Sequence, residues 1–171
     1  MQIQSNTYTM NLEELPLDIG YASQKVTMSD INGKECVVGG QNGLTQLFVT
    51  APSLDAAFLE ELKSLSEILP KGGAYEVTAS LIVANSKHQN PLIEGFDFYI
   101  DTQEEFGDFY GVRLKGEPYH DEFTKALILV SKDGAIFYDE FSSNLEDKFN
   151  LDTLYRKIAA AQLCYTGKGC H

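Results

Sequence analysis

Cysteine is scarce in this sequence, and none occurs between positions 37 and 163. The three cysteines present are Cys36, Cys164 and Cys170. An odd number with this spacing does not fit the paired framework of a secreted, disulfide-rich domain. Cys36 stands beside two valines, which predicts a buried or half-buried structural thiol.

Positive charge and long apolar runs are also scarce. The formal net charge is −12, which argues against nucleic acid or an anionic membrane surface as the main partner. No stretch reaches the roughly 20 apolar residues that a membrane-spanning helix needs. The first six residues combine neither a basic start nor an apolar core. We therefore expect no signal peptide, a cytoplasmic location, and no nucleic-acid or membrane partner.

The composition is that of one globular domain. The chain has 171 residues, of which 43% are hydrophobic, enough for a core without disulfide or metal support. We predict a single domain over residues 1–163, followed by a cysteine-containing C-terminal tail over 164–171.

Hydrophobic periodicity predicts strands that alternate with helices. Segments 26–31 and 34–38 are predicted to form an N-terminal β-hairpin around a two-residue Asn-Gly turn. Further strands are predicted over 44–50, 75–84 and 96–100, a late hairpin over 125–130 and 135–141, and helices over 58–69, 102–109 and 154–163. This order indicates an α/β fold with a mixed central sheet and helices on both faces.

Several short segments occur in an order that matches a known family. Residues 48–55 read Phe-Val-Thr-Ala-Pro-Ser-Leu-Asp, residues 108–112 read Asp-Phe-Tyr-Gly-Val, and residues 125–130 read Lys-Ala-Leu-Ile-Leu-Val. In this order they resemble the bacterial thiol peroxidases, which are atypical two-cysteine peroxiredoxins. The resemblance covers about residues 20–162 and implies the peroxiredoxin form of the thioredoxin fold.

The segment that carries the family's reaction is altered. The family motif continues Pro-Ser-Leu-Asp-Thr-Pro-x-Cys, whereas here Ala56 replaces the threonine and Leu59 replaces the peroxidatic cysteine. Residues 85–95, where the resemblance places the resolving cysteine, contain none, and Lys125 replaces an arginine. Peroxide reduction needs a thiolate activated at a helix N-terminus. The resemblance thus implies a degenerate, apolar pocket formed by Pro52, Ser53, Ala56, Leu59 and Lys125.

The tail offers a different chemistry. Cys164 and Cys170 close a short loop that contains two glycines, so a disulfide between them is geometrically easy. Lys168 and His171 are cationic neighbours of the kind that activates a thiol. One hypothesis is therefore a thiol–disulfide redox pair, and the other is a pair of incidental tail thiols.

Metal and haem binding fit the tail less well. Five residues separate the two cysteines, whereas a c-type haem site requires Cys-x-x-Cys-His and zinc pairs are usually two to four residues apart. A metal site that adds His171 and either His88 or His120 stays open as an alternative. Our prediction is no metal and no cofactor, with His88 and His120 as ordinary surface histidines.

Adjacent carboxylates occur at 60/61, 104/105 and 121/122. Because neighbours on a helix do not share a face, we predict that these residues are solvated rather than acid–base pairs.

Two functions remain open. In the first, the chain is a thiol peroxidase-like redoxin with a degenerate peroxide site, and Cys164 and Cys170 exchange disulfides with a thiol-bearing protein partner. In the second, it is a non-catalytic dimeric binding or interaction module on a peroxiredoxin scaffold. The resemblance implies a homodimer formed through the Pro52 loop and the segments near Tyr110 and residues 116–123.

Overall fold

The chain folds around one large sheet and one small sheet. A computed structural model describes residues 1–163. The strands are β1 (Gln2–Ser5), β2 (Tyr8–Leu12), β3 (Val26–Ser29), β4 (Glu35–Val38), β5 (Thr45–Thr50), β6 (Val77–Val83), β7 (Phe96–Ile100), β8 (Leu114–Lys115), β9 (Ala126–Val130) and β10 (Ile136–Phe141). The α-helices are α1 (Ala56–Ile68), α2 (Glu105–Tyr110) and α3 (Leu151–Ala161), and a 3-10 turn spans Gly73–Tyr75.

The large sheet is mixed, as predicted. Its strand order is β10-β9-β5-β6-β7-β3-β4, while β1, β2 and β8 form the small sheet. Strands β5, β6 and β7 run parallel, and β9 joins β5 in the antiparallel sense. The connection from β5 through α1 to β6 is the crossover that a parallel pair requires.

The two faces of the large sheet bury different side chains. Along β5, Leu47 and Val49 point into a core cluster that includes α1 and α3, while Phe48 points to the opposite face. There Phe106 and Tyr110 of α2 stack with ring centroids 4.4 Å apart. This alternation follows from the two-residue period of a strand whose faces are both covered.

Two N-terminal details differ from the sequence prediction. The predicted hairpin forms as β3 and β4, but its strands end at Ser29 and begin at Glu35. The loop is longer than an Asn-Gly turn because the Asp30 carboxylate accepts the backbone N–H groups of Asn32 and Lys34. Residues 2–12 also form a hairpin of their own, β1 and β2, which was not predicted.

The first helix begins at the carboxyl edge of the parallel strands. Asp55 caps α1, and its side chain accepts the N–H of Phe58 at 2.9 Å. The start of β9 lies at the same edge, because Thr50 pairs with Ala126 and donates its hydroxyl to the carbonyl of Thr124. Lys125 is thereby placed opposite the first turns of α1.

Within residues 1–163, no helix is long and apolar enough to cross a membrane.

Candidate functional site

A cavity of about 240 Å³ opens between the first turns of α1 and the start of β9. The described residues that line it contain no sulfur, and they combine apolar side chains with charged groups. They include Pro52, Ser53, Asp55, Phe58, Glu61, Tyr119, Lys125, Leu145, Glu146 and Lys148.

A buried ion pair forms one side of this cavity. The Lys125 ammonium lies 2.7 Å from Oε2 of Glu61, and the two side chains are only 7% and 6% exposed. The ammonium also donates to the backbone carbonyl of Asp147. The rings of Phe149 and Phe58 lie 4.8 and 5.9 Å from it, within the range of cation–π attraction.

Both partners of this pair find further hydrogen bonds inside the protein. Glu61 Oε1 accepts the backbone N–H of Phe149 at 2.7 Å, while Oε2 accepts from Lys125. A buried ion pair withstands its desolvation only when such additional bonds satisfy it. The pair therefore ties α1 to the two segments that flank β9 and β10, and it leaves no net charge at this wall.

The residues that the resemblance assigns to the pocket separate into two groups. Pro52, Ser53 and Lys125 line the cavity. Ala56 is the exposed first residue of α1, and Leu59 is half-buried against the core cluster beneath that helix. Phe58 faces the cavity from the same turn.

The expectation that the pocket is apolar and that Glu61 is solvated is wrong. Glu61 is 8% exposed and stands among the buried residues of α1. The burial of Glu61 could have been predicted from the sequence. One helix face, with the i, i+3, i+4, i+7 pattern, carries Phe58, Glu61, Leu62 and Leu65. Its ion-pair partner could not have been predicted from local sequence, since Lys125 is 64 residues away.

A second polar cluster lies beyond the end of β6. Glu122 accepts hydrogen bonds from His88 Nε2 and Asn85 Nδ2, each at 2.7 Å. The side chains of His88 and Glu122 are 14% and 16% exposed, so the prediction of surface positions is wrong for both. Burial raises the pKa of Glu122, but the bonds from His88 and Asn85 outweigh burial and hold that pKa below its ordinary value. His120, by contrast, is exposed as predicted.

The described part of the chain contains neither a cysteine in the cavity lining nor a group of metal-binding side chains. Cys36 is half-buried on the edge strand β4. Over residues 1–163, no group of three or more His, Cys, Asp or Glu side chains is arranged to hold a metal ion. The predictions for Cys164, Cys170 and His171 lie outside the described residues.

Comparison with known proteins finds solved structures with the same fold and a protein with a similar sequence. The chain is 25% identical to the thiol peroxidase of Aquifex aeolicus (strain VF5) over 169 residues, which covers 92% of this chain and 95% of that protein. A peroxiredoxin-like protein from Aquifex aeolicus matches with a TM-score of 0.80 at 19% identity, covering 94% of this chain and 96% of that one. The thiol peroxidase from Chromobacterium violaceum matches with a TM-score of 0.77 at 16% identity, covering 95% and 97%. No protein-family model matches the sequence.

The sheet order, its flanking helices and these structural matches show that the chain has the thioredoxin fold in the form seen in peroxiredoxins. Within that class the chain is thiol peroxidase-like, as its sequence similarity over most of its length indicates. The fold and the family resemblance predicted from residues 48–55, 108–112 and 125–130 are thus confirmed.

Proposed function

We propose that this chain is a thiol peroxidase-like redoxin whose cavity at α1 no longer reduces peroxides. One observation carries the proposal, namely that none of the side chains from residues 1–163 that line the cavity contains sulfur. Leu59 takes the sequence position of the peroxidatic cysteine and packs against the core. Neither Leu59 nor Phe58 has a lone pair that attacks an O–O bond, and sulfenic-acid chemistry requires a cysteine.

The redox chemistry that remains belongs to Cys164 and Cys170, on the evidence of the sequence alone. Two thiols and the disulfide of a partner protein would yield one tail disulfide and two partner thiols, with electrons passing from the tail to the partner. The partner is therefore a protein that carries a thiol or a disulfide. In this proposal the chain acts in the cytoplasm as a homodimer.

A second candidate is a non-catalytic, dimeric binding module on the same scaffold. The retained cavity of about 240 Å³ favours it, because its charged wall is completed by Glu61 and Lys125 rather than filled by larger side chains. The two candidates differ in whether the tail thiols are needed.

Counting free thiols distinguishes the two candidates. The wild type and the Cys164→Ser/Cys170→Ser variant are exposed to hydrogen peroxide, with Cys36→Ser as the matched control. Oxidation of two tail thiols and one H₂O₂ gives one disulfide and two waters. Loss of two thiols per chain far faster than free cysteine, in the wild type and Cys36→Ser only, supports tail redox chemistry.

Background reactivity in all three proteins removes the redox candidate and favours the binding module. A fast reaction that survives in the double variant would have to use Cys36, the one cysteine left in it, and would also remove the tail pair as the redox centre.

A further inference from the structure

The positive and negative charges of the residues that line the cavity nearly cancel. Among residues 1–163, Lys125 and Lys148 supply two positive charges to the lining, and Asp55, Glu61 and Glu146 supply three negative ones, which gives a net charge of −1 for this described part. Lys125, the deeply buried cation among them, is already neutralised by Glu61 at 2.7 Å. An anionic ligand would meet no uncompensated positive charge in the interior and an excess of negative charge at the lining.

The buried pair nevertheless retains hydrogen-bonding capacity. An ammonium has three N–H donors, and within residues 1–163 Lys125 has two acceptors, Glu61 Oε2 and the Asp147 carbonyl. Each Glu61 oxygen accepts one hydrogen bond and has a second lone pair. The wall therefore offers one donor beside acceptors, which is the complement of a primary amide or an alcohol.

The remaining walls set the size and character of the ligand. Phe58, Tyr119 and Leu145 present apolar surface to the cavity. A volume of about 240 Å³ equals about eight waters at roughly 30 Å³ each, and it lies below the range of drug-sized pockets. This space suits a ligand of about eight to ten non-hydrogen atoms with one flat or aliphatic group.

We infer that Glu61 determines the ligand class of this cavity: by neutralising Lys125, it makes the cavity a site for small uncharged amides or alcohols that rejects carboxylates. The inference rests on the proposed function, because it takes the cavity to bind a ligand other than a peroxide. The two fail separately, since ligand binding is measured without peroxide and without any thiol.

Benzamide and benzoate provide a matched test, because they share a phenyl group and differ in charge. Each is titrated into the full chain at about pH 6, where benzoate is ionised, and binding is followed by the backbone amide resonances of Phe149 and neighbouring cavity residues. We expect benzamide to bind at least about tenfold more tightly than benzoate. Equal or tighter binding of benzoate, or binding of neither probe, would overturn the inference.

Glu61→Gln tests the role of the carboxylate, and Glu60→Gln on the exposed side of α1 is its control with the same charge change. We expect Glu61→Gln to improve benzoate binding by at least about tenfold relative to benzamide, while Glu60→Gln leaves the ratio unchanged. An equal effect of both variants would contradict the inference.

Lys125→Met gives a reciprocal measurement that does not depend on the folding of Glu61→Gln. It leaves Glu61 as the uncompensated charge, so benzylammonium should gain at least about tenfold over benzamide. No gain for benzylammonium in a folded Lys125→Met protein would show that the pair does not control ligand charge.

Discussion

Glu60 and Glu61 are adjacent on α1 and chemically identical, yet they lie in opposite environments. The Glu60 side chain is 74% exposed and forms an ion pair with Lys63 of the next turn, at 3.2 Å. Glu61 is 6% exposed and joins α1 to Lys125 and to the backbone of Phe149. The difference shows that the 100° step between helix neighbours decides which carboxylate becomes part of the site.

The pairs at 104/105 and 121/122 divide in the same way. Glu104 is exposed, whereas Glu105 accepts the backbone N–H of Thr27 at 2.6 Å. Asp121 is exposed, whereas Glu122 bonds to His88 and Asn85. In each pair the second carboxylate holds together segments that are distant in the sequence, and the first remains in solvent.

Replacing Glu60 and Glu61 by alanine, each in a separate variant, should give the largest difference in the free energy of unfolding. Glu61→Ala leaves the Lys125 charge buried and unpaired, and we expect it to lower the free energy of unfolding by about 3–5 kcal/mol. Glu60→Ala removes only a solvated pair and should change it by less than about 0.5 kcal/mol. Urea denaturation at neutral pH measures both, and similar losses would contradict the assigned environments.

The 121/122 pair should give an intermediate effect. We expect His88→Ala to destabilise the protein by about 1–2 kcal/mol at neutral pH, because Glu122 loses a charge-assisted hydrogen bond in a half-buried place. Lys87→Ala, one residue earlier and exposed, is the control.

This loss should depend on pH with a definite sign. Because the folded pKa of Glu122 is lowered from 4.5, its contribution is present above that value and disappears as pH falls through the folded pKa. The wild type and His88→Ala should therefore converge in stability at acidic pH. A gap that widens on acidification would contradict the assignment.

Removing both charges of the buried pair should have a smaller effect than removing one. Glu61→Leu/Lys125→Met keeps side-chain volume and buries no unpaired charge, so we expect a stability within about 1 kcal/mol of the wild type. The same urea experiment measures it. A loss as large as that of Glu61→Ala would mean that the hydrogen bonds to Phe149 and Asp147, rather than the charge pair, provide the stability.

The sequence predicted the elements better than the contacts among them. The alternating strands and the helix after Pro52 follow from local signals, and the structure reproduces them. The Glu61–Lys125 and His88–Glu122 pairs span 64 and 34 residues. Local periodicity shows which helix face is buried, but a partner on another element depends on tertiary packing.

The position of Leu59 illustrates the same limit. The family resemblance gives it the position of the missing cysteine, yet Leu59 is absent from the cavity lining, whereas Phe58 both belongs to the buried core cluster and lines the cavity. A one-residue difference on a helix turns a side chain by about 100°, and only the folded chain shows which of the two reaches the cavity.

Leu59→Cys should for this reason fail to restore peroxide reduction. A thiol in apolar surroundings resists ionisation, and the one buried cation of the cavity lining, Lys125, is already paired with Glu61. In a Cys36→Ser/Cys164→Ser/Cys170→Ser background, we expect peroxide consumption no faster than about twofold above free cysteine. Phe58→Cys, one residue earlier and in the cavity lining, is the matched control and is measured in the same assay. If Leu59→Cys instead reduced peroxide orders of magnitude faster than free cysteine, the cavity would have kept its reactivity, and Glu61 would not neutralise Lys125 during the reaction.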